Sequence, residues 1–136
     1  MRVYLAGAID LVSEIEAKGW RRQAARTLER YGITVLDPTE VVVPDPTPEN
    51  VFEADEALLA TSDAVLAEHA FPVPHYGTTV EIEESVQIGR PVVVWHGQLG
   101  LPLYLLRHGD AVAVEADLQA ACLRIVRLAS QAQKEA

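Results

Sequence analysis

A chain of 136 residues, of which 49% are hydrophobic and 23% charged, has the composition of an ordinary soluble globular protein and fits one domain over residues 1–136. Its formal net charge of −9 would repel a polyanion, so no nucleic acid partner is expected, although a pocket could still hold a small ligand. No apolar run approaches the roughly 20 residues that cross a bilayer, and no membrane partner is expected. The absence of a signal-peptide pattern and the single Cys122 favour the cytoplasm.

Short apolar runs rich in β-branched residues alternate with helical patterns along the chain. The stretch 39–49 holds three prolines and is predicted to be an irregular flap with no helix of its own, while residues 133–136 are predicted to fray. Predicted strands cover residues 2–6, 33–36, 63–67, 91–95 and 111–114; predicted helices cover residues 12–31, 48–61, 78–88, 101–107 and 116–131.

Two of these helices have an apolar stripe that predicts which side chains face the core. In the last helix the stripe includes Cys122, which is therefore predicted to be a core residue. In the first helix the arginines, Arg21 among them, fall mostly on the side opposite the stripe. The stripe of the first helix consists of Ile15, Trp20, Ala24, Leu28 and Tyr31.

The alternation predicts an α/β doubly wound fold, which is a Rossmann-like five-stranded parallel sheet with helices on both faces. Right-handed crossovers favour the strand order 2-1-3-4-5. Ligands of such sheets bind beyond the carboxyl ends of the strands, beside the point where the strand order reverses. Three segments are predicted to meet there: residues 7–11, the helix that precedes Asp63, and residues 75–81.

The third of these segments contains the first candidate for chemistry, Glu81. It is predicted to lie in the first turn of its helix, where an acidic residue is common because it complements the helix dipole. Position alone therefore does not make Glu81 catalytic. Thr78 and Thr79 could contact a ligand hydroxyl, or they could simply cap the helix.

Two further residues are candidates for the same site. Asp55, in the middle of its helix, is predicted either to reach the carboxyl edge of the sheet or to lie on the surface. His75 is predicted to be either a ligand contact or a solvated turn residue. No spacing of His, Cys and Asp suits a metal, and no glycine-rich loop suits a phosphate, so neither a metal nor a cofactor is expected.

Taken together, these features resemble the nucleoside 2-deoxyribosyltransferase family, including its relatives that hydrolyse nucleotide N-glycosidic bonds. The resemblance covers roughly residues 2–96 and depends on the order of several short pieces. These pieces are Tyr4-Leu5-Ala6-Gly7-Ala8-Ile9, Gly19-Trp20-Arg21, Asp37-Pro38, Asp55 eight residues before Asp63, Gly77-Thr78-Thr79-Val80-Glu81, and Gly89-Arg90-Pro91-Val92.

The resemblance implies an enzyme that transfers a 2-deoxyribosyl group between nucleobases. Glu81 matches the nucleophile that attacks C1′ of a 2′-deoxynucleoside to form a covalent ester. Asp55 matches the residue that positions or protonates the leaving base, and Tyr4 matches a tyrosine that orients the nucleophile. The implied substrate contacts are Gly7, Ile9, Asp10, His75, Gly77 and Thr78.

The chain departs from the family pattern at two positions that read the substrate's 5′ end. Six residues before the nucleophile the transferases carry aspartate and the monophosphate hydrolases serine, whereas this chain has His75. The hydrolases favour arginine in the first loop, where Asp10 would here repel a phosphate.

The expected partners are a nucleoside or nucleotide and a free nucleobase, and the resemblance also implies a homo-oligomer, either a dimer or an assembly of dimers. Two alternatives stay open. One is hydrolysis of the N-glycosidic bond of a nucleoside or nucleoside 5′-monophosphate, and the other is a non-catalytic nucleotide-binding domain.

Overall fold

Five short strands and five α-helices alternate along residues 1–135, the part of the chain that the computed structural model describes. Short 3₁₀ turns cover Pro38–Glu40 and Gly109–Ala111. The strands are β1 (Arg2–Ala6), β2 (Thr34–Leu36), β3 (Ala64–Glu68), β4 (Val92–Trp95) and β5 (Val112–Glu115); the helices are α1 (Glu14–Glu29), α2 (Pro48–Ala60), α3 (Tyr76–Gln87), α4 (Leu103–Leu106) and α5 (Leu118–Glu135).

The strands form one parallel sheet in the order β2-β1-β3-β4-β5, which confirms the predicted α/β doubly wound fold. Successive side chains of a strand point to opposite faces, so the sheet separates two apolar cores. Leu5 packs into the core beneath α1 and α5, which also contains Cys122, as predicted. Tyr4 packs into the other core, beside Leu59 of α2 and Ile82 of α3. The first strand therefore points Tyr4 toward α2 and α3.

Helix α3 begins two residues earlier than the sequence pattern predicts. The N–H of Thr79 already donates to the carbonyl oxygen of His75 at 2.8 Å, and no side chain caps this end. Glu81 therefore lies in the second turn of α3, and the prediction of a first-turn position was wrong. Thr78 and Thr79 are not N-caps, because both already lie inside the helix.

Three predictions about side chains of the first predicted helix, residues 12–31, were also wrong. Ile15 is 85% exposed and Tyr31 is 57% exposed, whereas Arg21 is completely buried. A capping box between Ser13 and Glu16 starts the helix at Glu14, so Ile15 falls in the first turn outside the core.

Residues 41–47 have neither helix nor strand, as predicted for the irregular loop, but both segments predicted to lack regular structure contain some helix. The chain forms the 3₁₀ turn Pro38–Glu40 where residues 39–49 were predicted to be irregular, because Asp37 caps that turn by accepting from the N–H of Thr39. Helix α5 continues through Glu135, beyond its predicted end at residue 131, and the last of the residues predicted to fray lies outside the described residues. Within residues 1–135, no helix has both the length and the apolarity to cross a bilayer.

Candidate active site

The hydroxyl of Tyr4 on β1 donates a hydrogen bond to Oε2 of Glu81 on α3. Tyr4 is only 1% exposed, because its ring belongs to the core beneath α2 and α3. One turn beyond the start of α3, Glu81 points back over the carboxyl end of β1. The strand and the helix together fix the position of this carboxylate.

Around this pair lies a cavity of about 400 Å³ at the carboxyl edge of the sheet. The three segments predicted to meet, after β1, in α2 and at the start of α3, all contribute to its wall. All nine predicted site residues line it: Tyr4, Gly7, Ile9, Asp10, Asp55, His75, Gly77, Thr78 and Glu81. Two larger clefts of about 510 and 530 Å³ contain none of these residues.

The carboxyl groups of the cavity have perturbed acidities. Burial raises the pKa of Glu81 from 4.5 to about 7; the hydrogen bond from Tyr4 opposes this shift, and the charge of Asp55 adds to it. Burial also raises the pKa of Asp55, against the attraction of Arg21. The pKa of the Tyr4 hydroxyl is raised by burial and by Glu81, so Tyr4 remains a hydrogen-bond donor. The site thus holds one carboxyl group that titrates near neutrality and a second one beside it.

Arg21 is a cavity residue that the sequence pattern assigned to the wrong side of α1. Its guanidinium donates to the carbonyl oxygens of Ala17 at 2.7 Å, Gly7 at 3.0 Å and Leu5 at 3.4 Å. It also lies 3.7 Å from a carboxylate oxygen of Asp37. Arg21 therefore holds the loop after β1 and places a positive charge near Glu81.

Glu68, at the end of β3, is a fully buried carboxylate that sequence reasoning did not single out. It accepts hydrogen bonds from the backbone N–H groups of Ala8 at 3.1 Å, Ala70 at 2.6 Å and Phe71 at 2.9 Å. Burial opposes its ionisation, but the hydrogen bond with His75 and those from the backbone outweigh this and lower its pKa. The only available signal was an acidic residue at the end of an otherwise apolar strand.

His75 is not a solvated turn residue, because its side chain is only 6% exposed. Its Nε2 lies 2.9 Å from a carboxylate oxygen of Glu68, while the residue still lines the cavity. Glu68 thus joins the loop after β1 to the loop before α3, and both loops contribute to the wall of the site.

Gly7 and Gly77, the two glycines predicted to contact the substrate, differ in whether the protein leaves space for a side chain. A Cβ atom at Gly7 would come within 2.8 Å of the Trp20 ring and 3.1 Å of Glu68, so no larger residue fits there without a shift. A Cβ atom at Gly77 would meet no atom within 4 Å, so the protein does not require glycine at that position. Within residues 1–135, no group of three or more His, Cys, Asp or Glu side chains is arranged to hold a metal ion.

The arrangement suits chemistry at a carbon that bears a leaving group. A carboxylate can act as a nucleophile there, and a second carboxyl group can donate a proton to the leaving group. A pKa near 7 leaves Glu81 substantially ionised at neutral pH while it keeps the basicity of a good nucleophile. The cavity volume falls within the range of small-molecule sites.

No protein-family model matches the chain, and no curated protein matches it either. Solved structures do match. A 2-deoxyribosyltransferase of Bacillus psychrosaccharolyticus is 23% identical with a TM-score of 0.68, over 88% of this chain and 89% of that one. A 2-deoxyribosyltransferase of Leishmania mexicana is 15% identical with a TM-score of 0.75, over 93% and 97% of the two chains. A CMP N-glycosidase of Clostridium botulinum is 17% identical with a TM-score of 0.62, over 92% and 98%. At these identities the comparisons show a shared fold.

Proposed function

We propose that this chain is an enzyme of the nucleoside 2-deoxyribosyltransferase family, and that it transfers a 2-deoxyribosyl group from one nucleobase to another. The observation that carries the proposal is the Tyr4–Glu81 hydrogen bond inside a cavity that Asp55 also lines. Two solved structures with the same fold are 2-deoxyribosyltransferases, which supports the same assignment.

In the proposed first step, the carboxylate of Glu81 attacks C1′ of a 2′-deoxynucleoside. The Tyr4 hydroxyl holds Oε2, which leaves Oε1 free to form the new C1′–O bond. The C1′–N bond breaks, and the base leaves with a proton from Asp55, whose raised pKa suits a proton donor. The product is a deoxyribosyl ester of Glu81.

In the proposed second step, a ring nitrogen of another base attacks C1′ from the face that the first base left. The ester C–O bond breaks and returns Glu81 to its ionised form, while the now ionised Asp55 takes the proton of the incoming base. Two inversions give net retention, as in the two-step glycosidase scheme.

The charges around the cavity favour a free nucleoside as the substrate. The lining includes the carboxyl groups of Asp10 and Glu56 besides those of Asp55 and Glu81. Arg21 supplies a positive charge, but its guanidinium is buried and each of its three nitrogens donates to a backbone carbonyl. A 5′-phosphate would enter a negatively charged mouth without an exposed cation among the described lining residues.

The rim of the cavity also carries exposed apolar side chains beside its carboxyl groups, which suits a nucleobase and also a neighbouring subunit. We propose that a second copy of the chain covers part of this rim, giving a homo-oligomer, and light scattering would measure its size. The exposed apolar side chains of the lining are Ile9, Leu11, Val51, Phe52, Tyr76 and Val80.

The test is incubation with a 2′-deoxynucleoside, with and without a second free base, followed by chromatography. We expect a new nucleoside only when the acceptor base is present, and no turnover of the corresponding 5′-monophosphate. If free base were released at the same rate without an acceptor, the reaction would be hydrolysis and the proposal of transfer would be wrong. No turnover of any purine or pyrimidine deoxynucleoside or monophosphate would contradict an enzymatic role.

A further inference from the structure

Tyr104, in the short helix α4, contacts two segments that form the cavity wall although it does not line the cavity itself. Its hydroxyl lies 2.6 Å from Nε2 of His69, which follows β3, and 3.2 Å from Oγ1 of Thr79 in the first turn of α3. The hydroxyl of Thr79 in turn donates to the carbonyl oxygen of His75 at 2.7 Å. Tyr104 thus joins α4 to His69 and Thr79, which lie 35 and 25 positions earlier in the sequence.

His69 provides the inner end of this network. It is 5% exposed, and its ring lies against the ring of His75 with centroids 4.5 Å apart. Burial, and then the neighbouring His75, lower the pKa of His69 to about 4. At neutral pH its ring is therefore uncharged and offers one N–H donor and one acceptor nitrogen.

Counting protons gives one arrangement that satisfies every contact. A hydroxyl group carries a single proton, and that of Thr79 is directed at the closer oxygen, the carbonyl of His75. Thr79 Oγ1 can then accept the proton of Tyr104, and the Tyr104 oxygen can accept from Nε2–H of His69. The result is a one-way chain of hydrogen bonds from His69 through Tyr104 and Thr79 to His75, in which each bond polarises the next.

We propose that Tyr104 is a positioning residue of the candidate active site, and that it fixes the start of α3 and the His75 loop through Thr79 and His69. The consequence for turnover rests on the proposed function. Glu81 is held separately by Tyr4, whereas His75, Tyr76 and Thr78 form the wall that this network holds in place. Loss of the Tyr104 hydroxyl should therefore weaken substrate binding more than it slows the chemical step.

The first experiment does not depend on catalysis. Hydrogen exchange of the backbone amides of residues 79–82, the first of α3 that donate within the helix, is compared between the wild type and Tyr104→Phe, with Tyr31→Phe as the matched control because Tyr31 is 57% exposed. We expect roughly fivefold faster exchange in Tyr104→Phe, the effect of one hydrogen bond, and no change in the control. Thr79→Val should reproduce the faster exchange, whereas Thr79→Ser, which keeps a hydroxyl, should not.

The second experiment is the ¹⁵N spectrum of the histidine rings near pH 7, in which the proposed chain requires a neutral His69 with its proton on Nε2. A proton on Nδ1, or wild-type exchange at residues 79–82 in Tyr104→Phe, would overturn the proposal. In turnover assays KM for the deoxynucleoside should rise several-fold in Tyr104→Phe, with kcat within about twofold. A fall in kcat at unchanged KM would also contradict it. If the wild type were inactive, the proposed function would be wrong. The exchange and ¹⁵N results would still decide the role of Tyr104.

Discussion

The hydroxyl of Tyr4 donates to one oxygen of Glu81, 77 positions away in the sequence, and both residues line the same cavity. Burial favours the protonated form of Glu81, whereas the tyrosine hydroxyl favours the ionised form, because a carboxylate is the better acceptor. The balance leaves a pKa of about 7, so the carboxyl group is available both for ionisation and for bond formation near neutral pH.

Replacement of Glu81 by alanine should abolish transfer, with a fall of about a thousandfold or more in kcat/KM. The side chain supplies the proposed nucleophile, and no other carboxyl group of the cavity receives the Tyr4 hydroxyl. Circular dichroism should show a folded protein. Glu84→Ala is the matched control, since Glu84 lies on the same helix but does not line the cavity, and its activity should stay close to wild type. Equal activity in Glu81→Ala would remove the nucleophile assignment.

Replacement of Tyr4 by phenylalanine should shift the pH dependence of transfer. Without the hydroxyl, the interaction that lowers the pKa of Glu81 is lost, so that pKa should rise above 7. The acid limb of kcat/KM, which follows ionisation of the nucleophile, should move to higher pH, and activity at pH 7 should fall about tenfold. The measurement is a pH profile from 5 to 9 with Tyr31→Phe in parallel. An unshifted acid limb would show that Tyr4 does not control this ionisation.

The fold could be predicted from the sequence because its signals are local. Each buried strand is a short apolar run, and the order β2-β1-β3-β4-β5 follows from right-handed crossovers between such runs. The rule that ligands bind at the carboxyl edge then selected the three segments that do line the cavity.

The burial of Arg21 and of Glu68 could not be predicted from the sequence, because it depends on hydrogen-bond partners from elsewhere in the chain. Arg21 and Arg22 look alike in the helical pattern, but only Arg21 meets the free carbonyl groups at the end of β1, and these make its burial tolerable. Glu68 is buried for a similar reason, since donors from two loops converge on it. The start of α3 was misplaced because no side chain caps it.

The stability of the protein should depend on the ionisation of Glu81. Its pKa is raised by folding from 4.5 to about 7, so the folded state binds this proton more tightly than the unfolded state. This contribution is therefore fully present below pH 4.5 and is lost as the pH rises to about 7. Glu81→Gln cannot ionise, so at pH 8 it should be more stable than wild type, by at most about 3 kcal/mol. Urea unfolding at pH 8 and pH 4 checks this, because the difference should nearly disappear at pH 4; the same difference at both values would contradict it.

The buried carboxylate of Glu68 should stabilise the two loops around the site, and with them the folded protein. Glu68→Gln removes the charge that three backbone N–H groups and His75 are directed at, and it turns an amide donor toward at least one of them. We expect a loss of about 2–4 kcal/mol in the free energy of unfolding at pH 7, the usual range for a buried charge network.

At acid pH the wild type and Glu68→Gln should differ less in their free energy of unfolding. Folding lowers the pKa of Glu68, so its stabilising contribution is present above the ordinary value of 4.5 and is lost as the pH falls through the lowered value. Urea midpoints measured from pH 7 down to pH 3 should therefore converge for the two proteins. Glu14→Gln is the control, because Glu14 forms only an exposed pair with Lys18 at 2.9 Å and its replacement should leave the midpoint nearly unchanged. If Glu68→Gln unfolded at the same urea concentration as Glu14→Gln at pH 7, the two loops would not depend on this carboxylate.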